Sequence, residues 1–327
     1  MSELLTPANA RAVPPVAGGC GDSQIYSCFN FRLASDLPLA ELSVAAGDDA
    51  RPLVVARLGA VPESLPGGGV PLDGLQVAGS QVLLKLPGVA RFLVTDGREI
   101  VIDPHPGVSD RQLRLFLLGS VLGILCHQRG PLLLHANAIV AGGAAFAFAG
   151  PSGAGKSTLA AAFQQRGYEL LADDVCMVDI DPAGTPFAWP GIPRLKLWAD
   201  AARQFGHDCS ALDRVSDDVD KYHVPARRRV DTRAVPFQRL YLLAGREDDG
   251  AQDPVRLRGQ EAMAAVMAHT YRGFCLETMG LLPRHFRQCS ALLSSIAVYA
   301  APRRWGFEWF DREVDRLARH LLEEDQE

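Results

Sequence analysis

Nine residues, Gly150-Pro151-Ser152-Gly153-Ala154-Gly155-Lys156-Ser157-Thr158, constrain this chain more than any other stretch. They fit G-x-x-x-x-G-K-[ST], the phosphate-binding P-loop pattern. The pattern needs a strand before it and a helix after it. Ala144 to Ala149 is a short apolar run that reads as a buried strand, and Lys156 to Arg166 holds helix formers without Gly or Pro. The glycines let the backbone turn tightly and aim several N–H groups at one anion, and the helix start adds partial positive charge. Lys156 is then placed for the β- and γ-phosphates, and the Ser157 hydroxyl for Mg²⁺. A glycine-rich turn with an incidental lysine is the plainer alternative, and the flanking strand and helix argue against it.

The chain before the loop adds a second constraint. Leu132 to Val140 reads as a strand, and Gly142-Gly143 as a turn into Ala144 to Ala149. The loop therefore leaves a hairpin rather than the usual βαβ unit. His135 lies in the first of these strands. It belongs at the phosphate end of the sheet only if the pairing register allows; otherwise it is a satisfied core histidine. After the loop helix, Arg166-Gly167 supplies a C-terminal glycine stop, and Tyr168 to Ala172 is a short strand ending at Asp173-Asp174. A carboxylate in that place can hold Mg²⁺, and its neighbour can take a proton from an attacking hydroxyl. Arg194, Lys196 and Lys221 are candidates for clamping phosphate or a phosphoacceptor segment. Arg227-Arg228-Arg229 with Arg233 reads as a solvated basic loop, and Arg272 after a helix is a weak candidate.

The remaining segments give the frame. The chain has 327 residues, 48% hydrophobic and 22% charged, enough for two domains or one large one. A net charge of −5 gives nucleic-acid binding no electrostatic support. The cysteines form no C-x-x-C and are odd in number, which speaks against a zinc ribbon or disulfide framework and fits a reducing cytoplasm. Residues 1–22 read as a flexible tail without the pattern of a signal peptide. Ile25 to Leu33 and Pro52 to Leu58 read as strands, 62–74 as a Pro/Gly loop, and Asp96-Gly97 as a hairpin turn between Arg91–Thr95 and Glu99–Ile102. Residues 23–107 are thus expected to form a small antiparallel β module, structural or partner-docking in role, ahead of a catalytic domain at 108–327. Asp110 to Gln128 reads as one buried helix; its most apolar part, Leu113 to Cys126, spans 14 residues and is too short to cross a bilayer. Val175 to Ile180, Arg194 to Trp198 and Pro236 to Leu243 are extended, while 199–223 are polar and mixed, with Asp217, Asp218 and Asp220 before Lys221. Gln260 to Tyr271, Pro283 to Ser295 and Arg312 to Glu324 read as helices, and Trp305 to Phe310 as an edge strand.

Together His135-Ala-Asn-Ala-Ile-Val, the P-loop and Arg166-Gly-Tyr-Glu-Leu-Leu-Ala-Asp173-Asp174-Val resemble the catalytic core of bacterial HPr kinase/phosphorylase. The spacing agrees, 21 residues from His135 to Lys156 and 18 from Lys156 to Asp174. The likeness covers 132–178. A looser one, to the HPr-kinase-related family of A type, takes in Asp96 to Pro104 and Pro193 to Trp198. The resemblance implies an α/β fold related to phosphoenolpyruvate carboxykinase, ATP and Mg as cofactors, and a serine of a peptide or small protein as acceptor. It implies Asp174 as base, Lys156 on phosphate, Ser157 with Asp173 on metal, and His135 in the active site. It also implies a PqqD-like peptide-binding partner. The charge, the cysteines and the short apolar segment add the expectation of a cytoplasmic protein with no nucleic acid and no membrane, and a homo-oligomer is left possible. No Glu-Val-Arg-Gly string follows Asp174, so no second metal ligand and no phosphorolysis are assigned. A nucleotide-binding module without turnover and a kinase of a small metabolite are the rival expectations.

Overall fold

The computed structural model describes residues 23–69, 74–216, 218–230, 232–246, 253–304 and 306–322. The tail at 1–22, Asp217 and Trp305 therefore lie outside the described residues. The fold is mixed α/β with several sheets.

The first sheet holds β1 (Gln24–Cys28), β2 (Phe31–Ser35), β3 (Ser43–Val44), β4 (Leu53–Leu58), β5 (Leu75–Ala78), β6 (Gln81–Leu86), β7 (Ala90–Thr95) and β8 (Glu99–Pro104). Its order is β3-β1-β2-β4-β8-β7-β6-β5. Two expectations need correction. The module is not purely antiparallel, because β4 pairs parallel with both β2 and β8. The chain crosses back at residues 36–52 before β4, and makes the β5–β7 meander before β8, so both neighbours enter in the same direction. Ile25 to Leu33 is not one strand either, since β1 and β2 form a hairpin turning at Phe29, which has φ 46°. A phenylalanine in the left-handed region is a turn that no sequence rule favours.

The helix expected over 110–128 is interrupted. Ser109 accepts from the Gln112 N–H and starts α1 (Asp110–Phe116); a π-helical turn occupies Leu117–Val121; α2 (Leu122–Arg129) follows and ends on Gly130. Its core joins Phe31, Ile100 and Phe92 of the first sheet to Leu117, Leu125, Leu133 and Met177. One apolar cluster thus runs from the first sheet into the second half of the chain.

The second sheet is built from β9 (Leu132–Leu134), β10 (Ala136–Ala141) and β11 (Ala144–Ala149). After α3 (Lys156–Gln165) it continues with β12 (Glu169–Ala172), β13 (Cys176–Ile180) and β14 (Pro186–Trp189). The strand expected over 132–140 is two. β9 pairs with β13, whereas β10 pairs with β11 and β12, and His135 stands at the break. The hairpin into the glycine loop is as expected, with Ala136 opposite Ala149. A separate ribbon holds β15 (Arg194–Trp198) and, after α4 (Ala199–Gln204), β16 (Lys221–Pro225). Next come β17 (Val235–Arg246), β18 (Val255–Leu257), α5 (Gly259–Ala268), α6 (Cys275–Thr278), α7 (Leu282–Leu293), β19 (Ala297–Arg304) and α8 (Phe307–Leu322). β17 runs parallel to β11 on one edge and to β19 on the other.

Strand alternation decides the layers. Phe146 and Phe148 of β11 face α3 and α8, packing with Leu159, Phe163, Val314 and Leu317. Ala145, Ala147 and Ala149 face α5 and α7, packing with Val266, Cys289 and Leu292. Phe163, Phe148, Tyr241 and Tyr299 stack in a row with centroids 5.3, 5.5 and 5.5 Å apart. Each buried ring contributes about 1.5–3 kcal/mol.

The edge strand expected over Trp305 to Phe310 is not found in its described part, and Trp305 itself lies outside the described residues. The described residues from Phe307 start α8, and the strand is β19, one segment earlier. Pro302 hides it, since proline reads against a central strand. β18 covers only Val298 to Ala300, so Pro302 sits where that flank has no partner strand among the described residues.

Candidate functional site

Residues 150–155 link the end of β11 to α3. Gly155 has φ 72°, and a Cβ there would run into Arg303 Nη2. The positive φ favours glycine here, and a side chain would displace the Arg303 guanidinium that donates to the Ala154 carbonyl beside it. No side chain caps the start of α3. Its first N–H groups thus keep their capacity to bind an anion.

The loop borders a cavity of about 310 Å³, the scale of a small-ligand site. Lys156, Ser157, His135, Asp174, Lys196 and Lys221 all line it. The register condition on His135 is met, since the break after β9 puts it at the loop end of the sheet. Lys156 Nζ donates to the carbonyls of Gly150 at 2.8 Å and Pro151 at 3.2 Å. Burial lowers its pKa, against the opposing pull of Asp174 and Asp173.

Asp173 is buried behind Ser157 and does not line this cavity. Its Oδ1 accepts from Ser157 Oγ at 2.9 Å, and its Oδ2 from the Lys196 backbone N–H at 2.7 Å. Burial, then the neighbouring Asp174 charge, raises its pKa. The donors assembled here, a hydroxyl and a carboxylate, are hard oxygens that suit Mg²⁺ rather than a soft metal. Among the described residues no group of three or more His, Cys, Asp and Glu gathers as a metal cage. A magnesium ion that keeps waters and takes phosphate oxygens needs none.

Asp174 is the most constrained residue of the site. It is a non-glycine at φ 75°, a conformation costing about 1 kcal/mol or more. The His135 ring holds it there. His135 Nδ1 is 3.0 Å from the Asp174 carbonyl and 3.3 Å from its Oδ1. Both are acceptors, so Nδ1 carries the proton. Lys196 Nζ donates to Asp174 Oδ2 at 2.8 Å. Burial alone would raise the Asp174 pKa, but the charge and hydrogen bond of Lys196 outweigh it and bring it to about 2. Burial lowers the His135 pKa, so the ring is neutral at pH 7 and Lys196 is the cation that holds Asp174 ionised. The same pairing raises the Lys196 pKa, against the effect of its burial.

Other sequence candidates lie elsewhere. Arg194 donates to the Ala40 carbonyl and lines a second, smaller cavity. Arg227, Arg228, Arg229 and Arg233 are exposed and away from the loop cavity. Arg272 lies over the Tyr271 ring, 5.3 Å from its centroid, and Tyr271 in turn meets the His135 ring at 5.8 Å. The sequence reading missed Asn137, Trp198, Arg303, Arg304, Phe307 and Phe310, which complete the cavity wall. Trp198 sits next to Lys196 in the same strand and carried a signal. Lys221 stands over its ring at 5.8 Å. Arg303 and Phe310 come from β19 and α8, which the sequence disguised.

No family model matches the chain. No curated protein matches it either. Among solved structures, it is similar to that of the Hpr(Ser) kinase/phosphatase from Coxiella burnetii, at 15% identity over 58% of this chain and 90% of that one. The TM-score is 0.32, a distant structural likeness that carries no argument about residues or activity.

Proposed function

We propose that the chain is an ATP- and Mg²⁺-dependent phosphotransferase that moves the γ-phosphoryl group to a hydroxyl, namely that of a serine in a peptide or small protein. One observation carries this reading. The Asp174 carboxylate, kept ionised by Lys196, borders the same cavity as Lys156, Ser157 and the uncapped start of α3.

In this reading residues 150–158 are a phosphate cradle. The loop N–H groups and Lys156 bind the β- and γ-phosphates, with Lys156 exchanging the Gly150 and Pro151 carbonyls for phosphate oxygens. Mg²⁺ held at Ser157, with Asp173 orienting the hydroxyl, would neutralise charge on the same phosphates. Asp174 accepts the acceptor's proton, and neutral His135 fixes its backbone so that the carboxylate stays aimed. A base of low pKa suits this reaction, because a loose transition state asks for the proton late. Most of the rate then comes from positioning and charge neutralisation.

Wild-type protein incubated with γ-labelled ATP, Mg²⁺ and a degenerate serine-peptide library tests the reading. Label on peptide supports it. Tight nucleotide binding with no label on peptide, sugar or free serine refutes it in favour of a binding module.

A further inference from the structure

The loop cavity has two kinds of wall. Ser152, Gly153, Gly155, Lys156, Ser157 and Thr158 form the polar one, where the phosphates lie in the reading above. Trp198, Phe307 and Phe310 form the other, an aromatic face with no phosphate-binding group. Trp198 stands at the N-cap of α4, and Phe307 is the first residue of α8. Each is a large ring left half open, 50% and 42% exposed. Exposed apolar residues scattered singly need no explanation, but two rings from separate elements on one cavity wall do.

This wall is joined to the loop and braced. Arg303, which donates to the Ala154 carbonyl, lies 6.0 Å from the centroid of the Phe310 ring. Phe310 meets Phe307 edge-on at 6.2 Å, and it meets Phe205, from the far end of α4, at 6.3 Å. The two helices therefore touch through Phe205 and Phe310, while the rings at their starts stay open to the cavity. Arg304 stacks on Trp309 at 3.5 Å, which ties the start of α8 to the strand that carries Arg303. Lys221 Nζ stands 5.8 Å from the Trp198 centroid on the ribbon side.

From this wall, and resting on the phosphotransfer reading above, we propose that Trp198 and Phe307 seat the nucleobase, so that the donor is a nucleoside triphosphate rather than a bare polyphosphate. A nucleotide carries its base one ribose away from its phosphates, and the aromatic wall is the part of the same cavity that offers flat apolar faces. A base laid on these rings removes their open surface from water and gains stacking contact. Such a contact is worth about 5–150-fold in affinity per ring. The seat draws on α4 and α8, neither of which supplies a residue to the phosphate cradle, so base and phosphate binding are separable by substitution.

Calorimetric titration of the full-length protein in Mg²⁺ with ATP, and with inorganic tripolyphosphate, tests this. Tripolyphosphate carries the phosphates without base or ribose. Wild type is expected to bind ATP at least tenfold more tightly. Trp198→Ala and Phe307→Ala should each weaken ATP binding about 5–150-fold and leave tripolyphosphate binding within twofold, which also shows that fold and loop are intact. Trp198→Phe, which restores a ring, should recover most of the ATP affinity. Equal affinity of wild type for both ligands, or alanine variants that weaken both alike or neither, overturns the base seat and leaves the phosphotransfer reading standing. Wild type that binds neither ligand sinks that reading, and this inference with it.

Discussion

Lys196→Met removes the cation that holds Asp174 ionised and keeps most of the side-chain stem. The consequence follows from the pair's geometry. A carboxyl brought from 3.8 to about 2 corresponds to roughly 2 kcal/mol of folding stability. The pair is largely shielded, with side-chain exposures of 21% and 29%, so solvent screens it less than a surface pair. The sign is fixed by the direction of the shift. A depressed carboxyl stabilises the fold fully above its unfolded value, and the benefit is lost as pH falls through about 2. In the variant, burial remains and pushes the Asp174 pKa up, without the Lys196 charge and hydrogen bond that outweighed it. Its charge then destabilises the fold at neutral pH, and protonation relieves this as pH falls. The stability gap between wild type and variant is therefore widest at pH 7 and narrows toward pH 3. Thermal unfolding across that range measures it. At neutral pH the expected difference in Tm is about 4–8 °C, from roughly 2–4 °C per kcal/mol for a large domain. A gap that stays constant from pH 7 to pH 3 would mean that only packing was lost, and the ion-pair argument would be wrong.

Two further substitutions probe the cradle. Ser157→Ala leaves Asp173 Oδ1 without its donor, costing about 1–3 kcal/mol, and should weaken ATP binding in Mg²⁺ more than in EDTA; equal loss in both by calorimetry would contradict a metal role for the hydroxyl. Gly155→Ala combines a left-handed φ with a Cβ that meets the Arg303 guanidinium, and should destabilise the fold by about 1 kcal/mol or more, seen as a lower Tm, with nucleotide affinity falling too. Scanning calorimetry and a nucleotide titration check both parts.

What could be read from the sequence was local. The glycine loop, its hairpin strand and the Asp173-Asp174 strand end depend on short-range pattern, and each is where the spacing puts it. His135 depended on register, which the sequence could only pose as a condition. The break between β9 and β10 meets it by letting one segment serve two strand partners. Lys196 was legible as a cation near the site, but not as the partner of Asp174, because β15 belongs to a ribbon outside the main sheets. Long-range packing hid the rest. Pro302 disguised β19, and with it Arg303, whose guanidinium fixes the shape of the loop from 149 residues away. The parallel pairing of β4 depends on crossovers that strand pattern alone does not encode.

The central claim is that Asp174 takes the acceptor's proton while residues 150–158 hold the nucleotide. Asp174→Asn keeps the shape of the side chain and removes its basicity, so the most direct measurement compares MgATP affinity and γ-phosphoryl transfer in wild type and this variant. The account predicts affinity within a few-fold and transfer reduced by about 10²–10⁴. Transfer by Asp174→Asn at the wild-type rate would contradict it.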